Sequence, residues 1–587
     1  MQKSIFFLSI ILLAIIGCEQ RTADTGNSSK LHTLFNEDWE YKLKEHPEYA
    51  TSLGDNRYNN RLTDFSLDAI KKRKEHSQQM LLKLKQIDRS TLNEQDAISY
   101  DLFLYEKNLE ISLNEYPTEF MPVEQLDGIQ LSFPALMEIM PLNNKSDYEN
   151  YISRLKTFPE QINQIIMLME EGIKTNWVRA KVGIIGIPSQ IEGQIYNTPT
   201  KSSLYRAFEK FPGNIPEDER QRIKKLGMEA IENSIFPSLK KLKLFIEDIY
   251  LPACRDDIAS SNLPGGENYY NLKTKYYTTT NLTPEEIHKI GLDEVARIKK
   301  EMEKVIKQSG FKGSFTEFID YLRTDEQFYY EDEESLITGY RDISKRADAG
   351  LPALFAVLPR NTYGVKPFPE YEAPYQTTAR YNPGAEDASR PGYFMVNTYK
   401  LETRPIYEME ALTLHEAVPG HHLQISRAAE LDFLPDFRRN AEYTAYVEGW
   451  ALYAESLGEE MGFYTDPYSK FGQLTYEMWR ACRLVVDTGM HMFGWSRERA
   501  INYIKDNSSK SLNDITVEID RYIVWPGQAL GYKIGELKIK ELRRKAQNRL
   551  GENFDLRKFH NAILDDGPLP LSMLERRIDE WVESQIR

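Results

Sequence analysis

Along most of the 587-residue chain, apolar residues recur every three or four positions among charged ones, the spacing that gives a helix one apolar face. Residues 30–53 follow this pattern. So do residues 67–92, where Ile70, Met80, Leu81, Leu84 and Ile87 return among lysines. Residues 148–173 repeat it with Tyr151, Leu155, Ile162, Ile165, Ile166 and Leu168. The sharpest start signal is Thr283-Pro284-Glu285-Glu286: threonine caps, proline suits the first turn, and a glutamate three residues on completes a capping box. Ile287, Gly291, Val295, Ile298, Met302 and Val305 then share one face, and Gly310 ends the helix. Between Phe355 and Lys400 the pattern changes to proline, glycine and aromatics, with short β-type runs at 363–365, 377–381 and 393–398. The pattern predicts a mostly α protein with a small embedded sheet. A break near residues 251–270 separates an N-terminal helical region, 31–260, from a C-terminal region, 261–587.

Composition adds exclusions. The 41% hydrophobic and 28% charged residues are globular proportions, so a disordered or low-complexity chain is set aside. A formal net charge of −15 lacks the basic footprint of a nucleic-acid-binding protein. A mean hydropathy of −0.55 excludes a polytopic membrane protein.

The N-terminus sets the compartment. Lys3 precedes an uncharged, mostly apolar run from Ile5 to Gly17, shorter than the roughly 17–25 residues of a spanning helix. A cationic start, a short apolar stretch and a small residue form the layout of a secretory signal, here residues 1–17. Ile15-Ile16-Gly17-Cys18 resembles a bacterial lipobox, in which Cys18 is lipidated and becomes the mature N-terminus. Residues 18–30 read as a polar tether. An exported chain allows Cys254 and Cys482 to pair, but two such distant cysteines are weak evidence for a disulfide, and neither has a CxxC partner.

The chemistry concentrates in Leu414-His415-Glu416-Ala417-Val418-Pro419-Gly420-His421-His422, which holds three of only nine histidines. Thr403 and Pro405 offer a helix start ahead of it. In the HExxH pattern of zinc hydrolases two histidines four apart bind the metal and the glutamate is the general base. Here the fourth position after His415 is Pro419, and the next histidines lie six and seven residues on. On a straight helix those spacings rise about 9 and 10.5 Å, too far for two imidazoles to share one ion. Pro419-Gly420 is expected to break the helix. Two inserted residues would stretch a four-residue spacing to six, which favours His421 as second ligand and leaves His422 beside it or on substrate. A third ligand is expected from Glu448, a carboxylate among Tyr446, Val447, Trp450 and Leu452, with Glu442 and Glu455 in reserve. The expected cofactor is zinc, held by His415, His421 or His422, and Glu448.

HEAVPGHH, then Glu448-Gly449-Trp450-Ala451-Leu452-Tyr453-Ala454-Glu455, then residues 480–491 and 526–532, resemble the family filed as domain of unknown function 885. Thr51-Ser52-Leu53-Gly54-Asp55 and residues 282–288 are similar to it too, so the resemblance spans the mature chain. It implies a mostly helical zinc-metallopeptidase-like fold, similar to gluzincins such as the Taq-type carboxypeptidases and the thimet oligopeptidases. It also implies Glu416 as general base, with His491 and Tyr532 stabilising the oxyanion and Arg521 and Tyr522 as alternatives. Asp487, four before His491, is placed to orient that ring or to pair with Arg483. The strand at 393–398 would lie along the cleft and pair with an extended substrate, with Asn397 touching it. A terminal carboxylate, if the substrate presents one, would need a cation such as Arg480, Arg483 or Arg521. The expected function is a lipid-anchored, zinc-dependent envelope hydrolase acting on short peptides. Its competitors are a zinc amidase on a cell-wall peptide and a substrate-binding lipoprotein without turnover.

Overall fold

The computed structural model describes residues 25–586 except 370–372, 374–375 and 385–389. The expected signal peptide and Cys18 lie outside the described residues. The tether expected over residues 18–30 is shorter than that: the helix Thr25–Glu45 takes in its last residues. Asn27 donates to Thr91 Oγ1 (3.0 Å) and Ser28 bonds Asp96, so this polar stretch is fastened to the fold. Pro47 starts a new helix, Pro47–Ser52, and so divides the amphipathic run 30–53. The run 67–92 is helical over Leu67–Leu84, and the run 148–173 falls within Lys145–Thr175.

The protein is mostly α. Thr283 caps the helix Pro284–Gln308 with both halves of the capping box formed, and every apolar position named for its inner face is buried. That helix packs along Pro467–Met492. The approach is close because Gly291 has no side chain: a Cβ there would lie 2.7 Å from Leu484 Cβ.

Apolar packing does not follow chain order. One core joins residues between Leu31 and Phe103 to the C-terminal half, including Leu414, Tyr446, Trp450 and Leu530. A second runs from Val123 to Cys254 and includes Leu155, Ile162 and Ile231. Cys254 and Cys482 are both free and buried. The expected division at 251–270 follows the end of the second core, while residues between Leu31 and Phe103 are built into the core that carries the site.

The three strands are β1 (Tyr363–Pro367), β2 (Ala379–Asn382) and β3 (Gly392–Val396), in the order β1-β3-β2. β3 pairs parallel with β1 and antiparallel with β2. It is therefore the central strand, with its backbone groups committed on both sides. This corrects the expectation that the 393–398 strand pairs with substrate; β2, an edge strand, is the one packed against the helix Met409–Glu416.

The helices Thr444–Ser456 and Leu530–Leu550 touch backbone to backbone. A Cβ on Gly535 would sit 1.8 Å from the Ala445 carbonyl oxygen, and one on Gly449 2.5 Å from Gly535 Cα. Gly535→Ala should cost roughly 1–3 kcal/mol by forcing these helices apart. Denaturant unfolding measures it; an unchanged midpoint would show that the contact is not tight.

Candidate metal centre

The helix carrying His415 begins at Met409, not at Thr403. Thr403 spends its hydroxyl on the Lys400 carbonyl, and two 3-10 turns precede the helix. It ends at Glu416, and after four intervening residues a second helix, His421–Ala429, starts. The Val418–Pro419 peptide is cis. A Cβ on Gly420 would lie 1.9 Å from the His415 carbonyl oxygen, so only glycine permits the chain to fold back this closely. Trp450 Nε1 donates to the Pro419 carbonyl (2.8 Å) and ties the break to the helix Thr444–Ser456.

The break brings His415 and His421 together, with ring centroids 4.8 Å apart and planes nearly perpendicular. Glu448 Oε2 lies 3.5 Å from His415 Nε2 and 3.4 Å from His421 Nε2. The three donor atoms lie within 4.8 Å of one another. Tetrahedral zinc with bonds near 2.0–2.1 Å sets its donors about 3.3 Å apart, so the spacing suits such an ion. Glu448 Oε2 is buried and makes no hydrogen bond, as expected of an atom shaped for a cation.

Electrostatics agree with that shape. Burial opposes a charge on His415, but the neighbouring carboxylates of Glu448 and Glu455 overcome it and hold the imidazole up to about 9. Burial likewise opposes the Glu448 carboxylate, but His421 and His415 hold it well below the usual range. The two imidazoles and the Glu448 carboxylate thus favour one another's charged forms. His415 Nδ1 is 2.8 Å from Glu455 Oε1, which orients the ring with Nε2 toward Glu448. Arg480 stands behind Glu455 at 3.5 Å. Glu455 had been a reserve ligand; it lies two helical turns from Glu448 on the same face and acts from behind His415 instead.

Glu416 follows His415 and is 8% exposed, with no partner among the described side chains. Tyr532 enters from the helix Leu530–Leu550. Burial raises its phenol, the Glu448 charge adds to this, and Arg521 and Arg483 oppose it. The backbone contact at Gly449 and Gly535 sets this nearness, since Glu448 precedes one glycine and Tyr532 is three before the other. Arg521 bonds Glu518 Oε2 (2.8 Å) and Gln528 Oε1 (2.9 Å) on the same side of Tyr532.

Other expected residues lie elsewhere. His422 is not in the cluster: its Nδ1 meets the Tyr381 hydroxyl at 2.8 Å and its ring packs on Tyr363. Glu442 is not among the clustered donors either. Asn397 is fully buried and donates to the carbonyls of Ala373, Gln376 and Thr377, so it shapes a loop and has no donor left for substrate. Tyr522 accepts from Arg483 Nε at 2.7 Å. Asp487 bonds Tyr270 (2.6 Å) and the Gly527 amide, and contacts neither His491 nor Arg483 by hydrogen bond.

His491 is fully buried. Nδ1 accepts from the Ser260 amide (3.0 Å), which leaves the ring proton on Nε2 to donate to the Tyr522 carbonyl (3.0 Å). With both nitrogens engaged by backbone, it braces the fold rather than meeting an oxyanion.

A mostly helical protein with a largely buried two-histidine, one-carboxylate cluster is the class these features define. The chain belongs to the family described as bacterial protein of unknown function (DUF885), whose model matches residues 47–578. A crystal structure described as "the putative lipoprotein from Colwellia psychrerythraea" is 29% identical, with a TM-score of 0.90 over 95% of this chain and 99% of that one. A second, described as "a putative lipoprotein of unknown function from Shewanella oneidensis", shares 16% identity and the fold, with a TM-score of 0.70 over 94% of this chain and 99% of that one. No curated protein matches.

Burial lowers His491 to about 4, so the folded ring stays neutral where an unfolded one, near 6.5, takes up a proton. Stability from this residue is complete above about pH 6.5 and is lost as pH falls toward about 4, by roughly 3 kcal/mol. Thermal unfolding between pH 7.5 and 4.5 should follow this slope, and should lose it in His491→Gln; identical slopes for the two proteins would refute the assignment.

Proposed function

We propose that this protein is a zinc-dependent hydrolase of the bacterial envelope, a metallopeptidase acting on short peptides and anchored through a lipidated Cys18. The observation that carries the reading is the convergence of Glu448 Oε2, buried and without a hydrogen bond, on the Nε2 atoms of His415 and His421, with Glu416 next to His415 in sequence. Bound zinc would supply Lewis-acid polarisation and bring the pKa of water down to about 7. His415, His421 and Glu448 would hold it. Glu416, with no side chain competing for its carboxylate, accepts the proton of the attacking water and passes it to the leaving amine. Tyr532, whose phenol is raised by burial, would donate to the negative charge that develops on the substrate carbonyl. Glu455 and Arg480 keep His415 in the ligating tautomer. The anchor is supported by the lipobox-like Ile15 to Cys18 and by similarity to chains described as lipoproteins. No helix among the described residues is long and apolar enough to cross a membrane.

Purified protein should carry about one zinc per chain by elemental analysis. Glu416→Gln should keep the metal and lose about 10²–10⁴-fold in peptide turnover. Undiminished turnover, with or without a chelator, would refute the reading. Glu455→Gln should retain the fold but bind zinc about 10–100-fold more weakly in competition with a chelator. Unchanged affinity would mean that Glu455 does not support the ligand.

A further inference from the structure

The first helix starts close to the residue that the sequence marks for lipidation. Only six residues, Glu19 to Asp24, separate Cys18 from Thr25, where the helix Thr25–Glu45 begins. Whatever their conformation, they span at most about 25 Å. A lipid on Cys18 would hold that residue at the bilayer surface, so the start of the helix can stand no farther from the bilayer than this leash allows.

The helix start does not swing on the leash. Asn27 donates to Thr91 Oγ1 (3.0 Å), and Ser28 and His32, one turn apart, both bond Asp96, His32 through Nε2 at 2.7 Å. Leu31, Leu34 and Phe35 are buried in the core that carries the metal centre. The leash therefore acts on the folded body and not on a loose arm.

Ion pairs define the face around this point. Arg89, two residues before Thr91, bonds Asp101 at 2.5 Å, and Arg576 bonds the same carboxylate at 3.0 Å. Arg577 bonds Glu94 at 2.5 Å and Glu580 at 2.7 Å. The turn Arg89–Thr91, the start of the helix Glu94–Leu113 and the middle of the helix Leu571–Ile586 thus share one face with the start of the first helix. These charges alternate in sign, so attraction to headgroups does not set the orientation; the leash does.

The face is tied to the metal centre. Gln95 Nε2 donates to Asp566 Oδ1 (2.7 Å), and the preceding residue, Asp565, accepts from Arg427 (2.8 Å) on the helix His421–Ala429. The first helix is 21 residues long, so its other end lies about 30 Å away. Just beyond that end Arg154 Nη2 donates to the Pro47 carbonyl (3.1 Å), from the helix that runs through the second core.

We propose that the face formed by residues 26–29, the turn Arg89–Thr91 and residues 576–580 is the membrane-facing surface of the protein, held against the lipid headgroups by the short leash, with the second core turned away. This deepens the reading of Cys18 as a lipid anchor and rests on it, but not on the hydrolase reading.

The test is energy transfer from the full-length, lipidated protein to acceptor-labelled headgroups in phosphatidylcholine–phosphatidylglycerol vesicles. Cys254 and Cys482 are buried, so a donor dye can be placed on one exposed cysteine at a time, Ser90→Cys on the proposed face or Lys225→Cys on the second core. Transfer from position 90 should exceed that from position 225 at least about twofold. An insert of about thirty Gly/Ser residues after Asp24, with a mean span of about 30 Å, should bring that ratio toward one. If mass spectrometry finds lipid on Cys18 and the two positions transfer equally, or position 225 transfers more, the orientation is overturned and the anchor stands. A ratio unmoved by the insert overturns the leash as its cause. An N-terminal peptide without lipid removes the anchor and the proposal together.

Discussion

One carboxylate oxygen governs the centre of this molecule. Glu448 Oε2 lies at 3.5 and 3.4 Å from two imidazole nitrogens, buried and without a hydrogen bond of its own. An anion in that position would be expensive to bury without the two imidazoles that face it. The surroundings answer to that constraint. A glycine lets the chain double back on the His415 carbonyl, a tryptophan clamps the turn, and Glu455 with Arg480 fixes one ring from behind. Each arrangement makes sense if a compact divalent charge belongs at the point where the three donors converge.

The site draws on distant parts of the chain, and this explains what could and could not be read in advance. The helices, the sheet and the His415–Glu416 step were legible because each is written in neighbouring residues: a capping box, a change to β-type runs, an uncommon histidine cluster around Pro419-Gly420. Glu448 was legible because a carboxylate among aromatic and aliphatic residues needs a partner. His421 emerged over His422 from the arithmetic of a broken helix, and the structure places only the former in the cluster.

What escaped depends on contacts across hundreds of residues. Order along the chain nominated His491, but nothing local reveals that Ser260, 231 positions away, donates an amide to its ring. Asn397 lies just beyond a strand end as expected, yet its amide is consumed by carbonyls some twenty residues earlier. The central position of β3 follows from the combination of a parallel and an antiparallel neighbour, which β-type runs alone do not disclose.

The glycine-to-glycine crossing at 449 and 535 has a consequence for how such a protein can diversify. One contact sets the gap between the metal-side carboxylate and the phenol, so the two cannot drift independently. A variant that widens the crossing shifts Tyr532 and Glu448 relative to one another in the same step. Change is therefore better tolerated in the connecting stretch between the helices Leu512–Val524 and Leu530–Leu550, which can be rebuilt without resetting that gauge.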